Sequence, residues 1–147
     1  MRKGLVLQAR GAKGPAVEGY ALVCPNSILG WNGLDVRTGE IIEEGHIHKG
    51  ESIKGKILVM PCSRGSIAWS DYFDDCSRNG TGPIGFVFTK MDSKCGTAVF
   101  VTKIPCVADF PDGVDPCSLI HDGDRIRVDG NAGTVEVLEP AGVEISV

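Results

Sequence analysis

The residues best suited to chemistry form a short polar turn, Cys62-Ser63-Arg64-Gly65-Ser66, with Ser70 a few positions further on. Serine hydroxyls donate and accept hydrogen bonds, and the guanidinium of Arg64 prefers carboxylate or phosphate. Two interpretations stay open: a capped helix without further role, or a site that contacts a ligand. A helix cap requires one polar side chain, so the density of polar groups favours a ligand.

The elements on either side of this turn are a predicted strand and a predicted helix. The apolar run Ile57–Met60 is typical of a buried strand, and Pro61 ends it. Apolar side chains then recur at the spacing of one helix face, at Trp69, Tyr72, Phe73 and Cys76. Ser66 is the predicted N-cap, and Gly65 allows backbone N–H groups to approach a ligand closely. A helix N-terminus beside Arg64 favours an anion.

The cysteines are scattered and show no spacing typical of a metal site. The chain has six, at Cys24, Cys62, Cys76, Cys95, Cys106 and Cys117, with no C-x-x-C pair. We therefore expect reduced thiols and no self-contained metal site, with Cys24, Cys76 and Cys106 buried. Cys62 differs because Arg64 and a helix start are expected to lower its thiol pKa, which makes it a candidate for ligand contact.

Two of the three histidines, His46 and His48, lie in a charged stretch beside Glu43, Glu44 and Lys49. Histidine is a common metal ligand and acid–base group. In such a polar context, however, an H-x-H pair is more typical of a solvated loop. We expect no metal or acid–base role for this pair.

Composition limits the class of protein. With 147 residues, 42% hydrophobic and 23% charged, the chain is expected to form one globular domain over residues 1–147. No apolar segment approaches the length of a membrane span, and no signal peptide is recognisable, so the expected location is the cytoplasm. The net charge of -4 and the lack of a basic cluster exclude nucleic acid as a predicted partner.

The rest of the chain is predicted to be rich in strands. Strands are predicted at residues 3–8, 19–24, 57–60, 85–89 and 104–107, with a hairpin of 125–128 and 134–138. Residues 9–15 are predicted to be a mobile loop. Residues 95–103 stay open between strand and short helix. The predicted fold class is mixed α/β with more strand than helix.

Several motifs, in order, resemble the small-subunit or swivelling-domain region of the aconitase X family. The resemblance begins near Ala21 and covers most of the chain. Its motifs are Gly30-Trp31-Asn32-Gly33-Leu34-Asp35, Thr38-Gly39-Glu40-Ile41-Ile42, His46, Gly50, Gly55-Lys56 through Gly65-Ser66, Asn79-Gly80 with Pro83, and Lys103-Ile104-Pro105.

This resemblance implies a swivelling β/β/α domain that closes over an active site on a separate large catalytic subunit. It also implies a dehydratase that removes water from a small hydroxylated carboxylate, with an iron or iron–sulfur centre held mainly by the large subunit. Ser66 matches the serine proposed as the base, and the substrate-binding residues are predicted to be Cys62, Ser63, Arg64 and Gly65.

The amino-acid sequence of the turn is more similar to that of bacterial members of the family, which favours cis-3-hydroxy-L-proline as the substrate. Mevalonate 5-phosphate is the alternative. The chain departs from many relatives just downstream, where Trp69 is predicted to narrow the pocket.

Two other classes of function stay open. Residues 95–105, followed by 123–125 and 129–130, also resemble the phosphohistidine swivelling domain of phosphoenolpyruvate-using enzymes. That function requires a histidine on the first of these segments, and residues 95–103 contain none, which argues against a phosphoryl carrier. The remaining class is a non-catalytic module that binds a small molecule, and tight binding of a carboxylate by the chain alone would favour it.

Overall fold

The structure is a computed structural model, and it describes residues 3–64 and 68–142. Its strands in chain order are β1 (Val6–Gln8), β2 (Gly11–Lys13), β3 (Val17–Val23), β4 (Leu34–Asp35), β5 (Glu40–Ile41), β6 (Ile57–Met60), β7 (Gly85–Phe88), β8 (Cys106–Ala108), β9 (Arg125–Asp129) and β10 (Thr134–Glu139). Its helices are α1 (Trp69–Arg78), α2 (Ser93–Thr102) and α3 (Pro116–Leu119).

Eight of the strands form one mixed sheet with the order β1-β10-β9-β3-β6-β7-β8-β2. Its central strands β3, β6, β7 and β8 are parallel neighbours, whereas β9, β10 and β1 extend it with antiparallel pairing. Strands β4 and β5 form a separate small hairpin. This architecture confirms the predicted mixed α/β, strand-rich fold class.

The core lies on both faces of this sheet, which explains why β6 is apolar throughout. Leu58 and Met60 belong to the cluster that includes Trp69 and Phe73 of α1. Side chains alternate along a strand, so Ile57 and Val59 belong to the cluster on the opposite face. A central parallel strand covered on both sides reads as a continuous apolar run rather than an alternating one.

The elements next to the polar turn agree with their predictions. Strand β6 matches residues 57–60, and β7 pairs with it in parallel, with Ile57 opposite Gly85. The predicted hairpin of residues 125–128 and 134–138 is present as the antiparallel pair of β9 and β10. Residues 95–103, which the sequence left open, lie almost entirely in α2, and Asp92 is its N-cap.

The prediction of a loop over residues 9–15 is wrong. Three of these residues form β2, an edge strand that pairs with β8, with Gly11 opposite Ala108. Sequence preference does not indicate a strand here, because its formation depends on pairing with a strand almost a hundred residues away. At residues 3–8 only the last three form a strand. None of the helices in the described ranges is long and apolar enough to cross a membrane.

Candidate active site

The polar turn lies at the carboxyl end of β6, where it meets two other loops. Residues 24–29 follow β3, the parallel neighbour of β6, so both loops leave the same edge of the sheet. The third loop, residues 43–48, contacts both through Glu43 and His46. Ligands of open α/β sheets bind characteristically at the carboxyl ends of parallel strands, which identifies this edge as the candidate site.

Ser27 joins all three loops. Its hydroxyl donates to the carbonyl oxygen of Cys62 at 2.6 Å, and its own carbonyl accepts from His46 Nε2 at 2.8 Å. The other ring nitrogen of His46, Nδ1, accepts from the backbone N–H of His48 at 3.0 Å, which assigns the proton to Nε2. Ser27 has a φ of 63°, an uncommon left-handed conformation for a residue other than glycine. These contacts hold that conformation in place.

Arg64 is bound to the other two loops through one nitrogen. Its Nη1 donates to the carbonyl oxygen of Asn26 at 2.9 Å and to Glu43 Oε2 at 3.1 Å. The other carboxylate oxygen of Glu43 accepts from the backbone N–H of Leu29 at 2.8 Å. The Glu43 side chain is 11% exposed and that of Arg64 is 36% exposed. The cation therefore reaches the surface while the carboxylate beneath it is buried.

Ser63 is bound on the other side of the turn, to Asp92 at the start of α2. Asp92 Oδ2 accepts from the backbone N–H of Ser63 at 3.1 Å and from its hydroxyl at 2.7 Å. Asp92 Oδ1 accepts from the backbone N–H of Cys95 at 2.8 Å as the helix cap. Burial alone would raise the pKa of Asp92, but the hydrogen bonds from Cys95 and Ser63 outweigh it and lower that pKa. Asp92 is thus an ionised clamp between the turn and α2.

The prediction of a lowered pKa at Cys62 is wrong. Burial of the thiol and the negative charge of Asp92 raise its pKa. Asp92 lies in a segment 30 residues further along the chain, so neighbouring residues in the sequence gave no sign of it. Burial also raises the pKa of Cys95, and raises that of Cys106 to about 12. Cys24, Cys76 and Cys106 are buried as predicted, and Cys62 remains only a candidate for contact through its surface atoms.

The two histidines have structural contacts rather than the solvated positions expected from the sequence. His48 is buried, and its Nδ1 lies 2.7 Å from Glu51 Oε2. Its Nε2 lies 2.9 Å from the carbonyl oxygen of Val23 and 3.1 Å from Asp122 Oδ1. Both ring nitrogens of each histidine have a polar partner. These contacts hold the loop over residues 43–48 against the sheet and the loops beside it.

Two open cavities flank the pair of Arg64 and Glu43. The first has a volume of about 480 Å³ and is lined by Pro25, Asn26, Glu43, Glu44, Gly45, His46, Ile47 and Arg64. The second has about 520 Å³ and is lined by Leu29, Asn32, Ile42, Glu43, Glu44 and Arg64. Two apolar residues that line these cavities are exposed, Ile47 (68%) and Ile42 (38%), and so is Trp31 (68%), which precedes the lining residue Asn32 in the chain. The two cavities share Glu43, Glu44 and Arg64, and together they are called the cleft below.

The structure brings three of the predicted site residues, Cys62, Ser63 and Arg64, to this edge. Gly65 and Ser66 lie outside the described residues. The prediction that Ser66 is the N-cap is wrong, since α1 begins at Trp69 and its N-cap position is Ala68.

Trp69 does not narrow the pocket. It is fully buried in the core, where its Nε1–H donates to the carbonyl oxygen of Ile28 at 2.9 Å. It lines neither of the two cavities beside Arg64.

Sequence reasoning missed the residues that hold the turn, namely Ser27, Glu43 and Asp92. Asp92 carried a usable signal, because an Asp immediately before a helical segment is a common N-cap. Glu43 and Ser27 carried no such signal, because Glu43 binds Arg64 across 21 residues and Ser27 binds Cys62 across 35.

An iron centre does not fit the described residues of this chain. Within residues 3–64 and 68–142, no group of three or more His, Cys, Asp or Glu side chains is placed to hold a metal ion. Among the described residues that line the cavities of this edge, the guanidinium of Arg64 is the group suited to binding an anion, and it lies beside the carboxylates of Glu43 and Glu44.

Comparison with known proteins gives a consistent result. The sequence profile of the aconitase X swivel domain matches residues 6–137. The phosphomevalonate dehydratase small subunit of Methanosarcina acetivorans is 30% identical over 139 residues, which cover 95% of each chain. The protein of the same name from Thermococcus sibiricus is 36% identical over 135 residues, which cover 90% of this chain and 98% of that one.

A solved structure shares the fold. The crystal structure of Thermococcus kodakaraensis aconitase X in its holo form superposes with a TM-score of 0.82 at 31% identity. The match covers 92% of this chain and all of that chain.

Proposed function

The chain belongs to the aconitase X swivel-domain family, and we propose that it is the small subunit of a phosphomevalonate dehydratase. In this proposal it acts with a large subunit to remove water from mevalonate 5-phosphate. The observation that carries the proposal is the similarity to small subunits of that name along nearly the whole chain. This similarity favours mevalonate 5-phosphate, the alternative substrate in the sequence analysis, over cis-3-hydroxy-L-proline. The hydroxyproline was supported only by the amino-acid sequence of one turn.

The geometry of the turn supports an anion-binding role for Arg64. Its guanidinium is partly exposed, lines both cavities and is held from below by Glu43. A guanidinium binds carboxylate or phosphate through two parallel hydrogen bonds. Mevalonate 5-phosphate carries both of these groups, so Arg64 is suited to hold either end of it.

Ser66 is the proposed base in this chain. Removal of a proton beside a carboxylate requires a positioned base, and a serine hydroxyl is a poor one in water. Water must therefore be excluded from the closed site, and donors such as Arg64 must stabilise the serine oxygen. Ser63 and Arg64, which immediately precede this part of the turn, are fixed by Asp92 and Glu43.

The large subunit is the proposed holder of the iron-containing centre, which would supply a Lewis acid for the departing hydroxyl. In this proposal the large subunit also covers the cleft and contacts the exposed residues Trp31, Ile42 and Ile47. Among the described residues, the charged ones that line the cavities are Glu43, Glu44 and Arg64, one cation against two carboxylates. We therefore expect the chain alone to bind an anionic substrate weakly, unlike an independent binding module.

A direct test compares two substrates. The chain is purified together with its large subunit, and mevalonate 5-phosphate and cis-3-hydroxy-L-proline are assayed side by side for loss of water. We expect turnover of the phosphate compound only. Clear preference for the hydroxyproline would overturn the proposed substrate, and failure to turn over either would overturn the proposed function.

A further inference from the structure

We propose that Glu43 is a positioning residue that fixes Arg64 so that one edge of its guanidinium, formed by Nε and Nη2, is presented to an anionic group of the substrate. The binding of substrate by Arg64 rests on the proposed function. The fixing of Arg64 by Glu43 does not, because it follows from contacts within the chain.

The first step is that Glu43 is itself fixed. The residue is 8% exposed, and each of its carboxylate oxygens has a partner. Oε1 accepts from the backbone N–H of Leu29 at 2.8 Å, and Oε2 accepts from Arg64 Nη1 at 3.1 Å. A buried carboxylate with two charge-assisted hydrogen bonds has little freedom to move, and so it is a firm support for a longer side chain.

The contacts of Arg64 with the described residues use one of its three guanidinium nitrogens and leave the N–H groups of the other two for a ligand. A guanidinium has five N–H groups, two of them on Nη1. The carbonyl oxygen of Asn26 and the carboxylate of Glu43 occupy this nitrogen, at 2.9 Å and 3.1 Å. In the described part of the chain, Nε and Nη2 have no hydrogen-bond partner. The Nε–H and one N–H of Nη2 are parallel, and they form one of the edges that bind a carboxylate or phosphate through two bonds.

The effect of Glu43 on the position of Arg64 can be distinguished from the effect of its negative charge. A carboxylate near an anionic substrate repels it, so removing one should strengthen binding if charge alone mattered. Glu44 offers this comparison, because it lines the same two cavities and forms an ion pair with Lys49 rather than with Arg64. Glu43 and Glu44 therefore differ in their contact with Arg64 while they contribute the same charge to the cleft.

The first experiment measures the order of Arg64 in the isolated chain by ¹⁵N relaxation of arginine Nε–H groups, with the signal assigned by its loss in Arg64→Lys. Glu43→Gln is nearly the same shape, but its amide has one acceptor and must present N–H groups to either Leu29 or Arg64. We expect the order parameter of Arg64 Nε to fall below about 0.6 in Glu43→Gln and to stay unchanged in Glu44→Gln. An unchanged order parameter in Glu43→Gln overturns the proposal, whatever the enzyme does.

The second experiment measures kinetics of the complex with the large subunit. We expect Glu43→Gln to raise KM roughly tenfold with kcat within about twofold, as for the loss of a charge-assisted contact that serves binding. Glu44→Gln should not raise KM. In an Arg64→Lys background, which has no guanidinium edge to position, Glu43→Gln should change KM by less than about twofold. A full tenfold effect in that background would show that Glu43 acts independently of Arg64 and would overturn the proposal.

The two experiments also separate this inference from the proposed function. If Glu43→Gln disorders Arg64 but the wild-type complex dehydrates neither hydroxy acid, the positioning of Arg64 stands and the proposed function falls. If the complex is active and Glu43→Gln changes neither the order of Arg64 nor KM, the proposed function stands and the positioning role falls.

Discussion

Replacement of Asp92 by alanine should weaken the fold and the site together. Asp92 caps α2 through Cys95 and accepts two hydrogen bonds from Ser63, one from the backbone N–H and one from the hydroxyl. Loss of an N-cap costs about 1 kcal/mol. Removal of the acceptor for the two Ser63 donors costs about 1 kcal/mol for each. We expect the free energy of unfolding to fall by about 3 kcal/mol, which lowers Tm by roughly 6–12 °C in a chain of this length.

Asp115→Ala is the matched control. Asp115 caps α3 by accepting from the backbone N–H of Cys117 at 3.0 Å, and it also accepts from a serine hydroxyl, that of Ser118. It lines neither cavity beside Arg64, and its recorded contacts are exposed. Urea unfolding should therefore show that the free energy of unfolding falls by about 1 kcal/mol in Asp115→Ala and by clearly more in Asp92→Ala.

The pH dependence of this difference tests the clamp further. The folded-state pKa of Asp92 lies below its ordinary value of 3.8, so the ionised form stabilises the fold fully above that pH. This contribution is lost as the pH falls through the folded pKa. The difference in free energy of unfolding between wild type and Asp92→Ala should therefore shrink below pH 3.8. Equal losses in free energy of unfolding for the Asp92 and Asp115 variants, with no such pH dependence, would contradict the proposed role of Asp92 in holding the turn.

Three further substitutions address the site. Arg64→Lys keeps the charge but loses the planar fork, so KM of the complex should rise while kcat changes little; a fall in kcat alone would contradict a binding role. Ser66→Ala should lower kcat by roughly a hundredfold or more with little change in the free energy of unfolding, because Ala68 is at the N-cap of α1; a change confined to Tm would assign the base to the large subunit. Trp69→Phe should lower the free energy of unfolding by about 2–3 kcal/mol, because the buried carbonyl of Ile28 loses its hydrogen-bond donor. KM should stay unchanged. An altered substrate preference in a fully stable variant would contradict the place of Trp69 in the core.

The parts of the fold that sequence could predict are those set by local pattern. The continuous apolar run of β6 and the turn between β9 and β10 are signals carried by neighbouring residues, and both are present. The motifs that resemble aconitase X gave the family, which the match over residues 6–137 confirms. Strand β2 could not be predicted in this way, because it exists through its pairing with β8.

The site was predictable only in part for the same reason. The polar turn could be found because its residues are adjacent in the sequence. The groups that hold it come from elsewhere: Glu43 binds Arg64 across 21 residues, and Asp92 binds Ser63 across 29. Burial of the thiol, together with the negative charge of Asp92, raises the pKa of Cys62, which reversed the expectation drawn from Arg64 and a helix start. Contacts of this kind depend on which loops the sheet brings to one edge.

The most direct test of the central claim is a titration of a fixed amount of purified, iron-loaded large subunit with this chain, with the rate of water loss from mevalonate 5-phosphate as the readout. We expect no activity for either protein alone. On mixing, activity should rise in proportion to added chain and reach a plateau when each large subunit has bound one chain. Full activity of the large subunit alone, or turnover by this chain without its partner, would contradict the claim that this chain completes the active site.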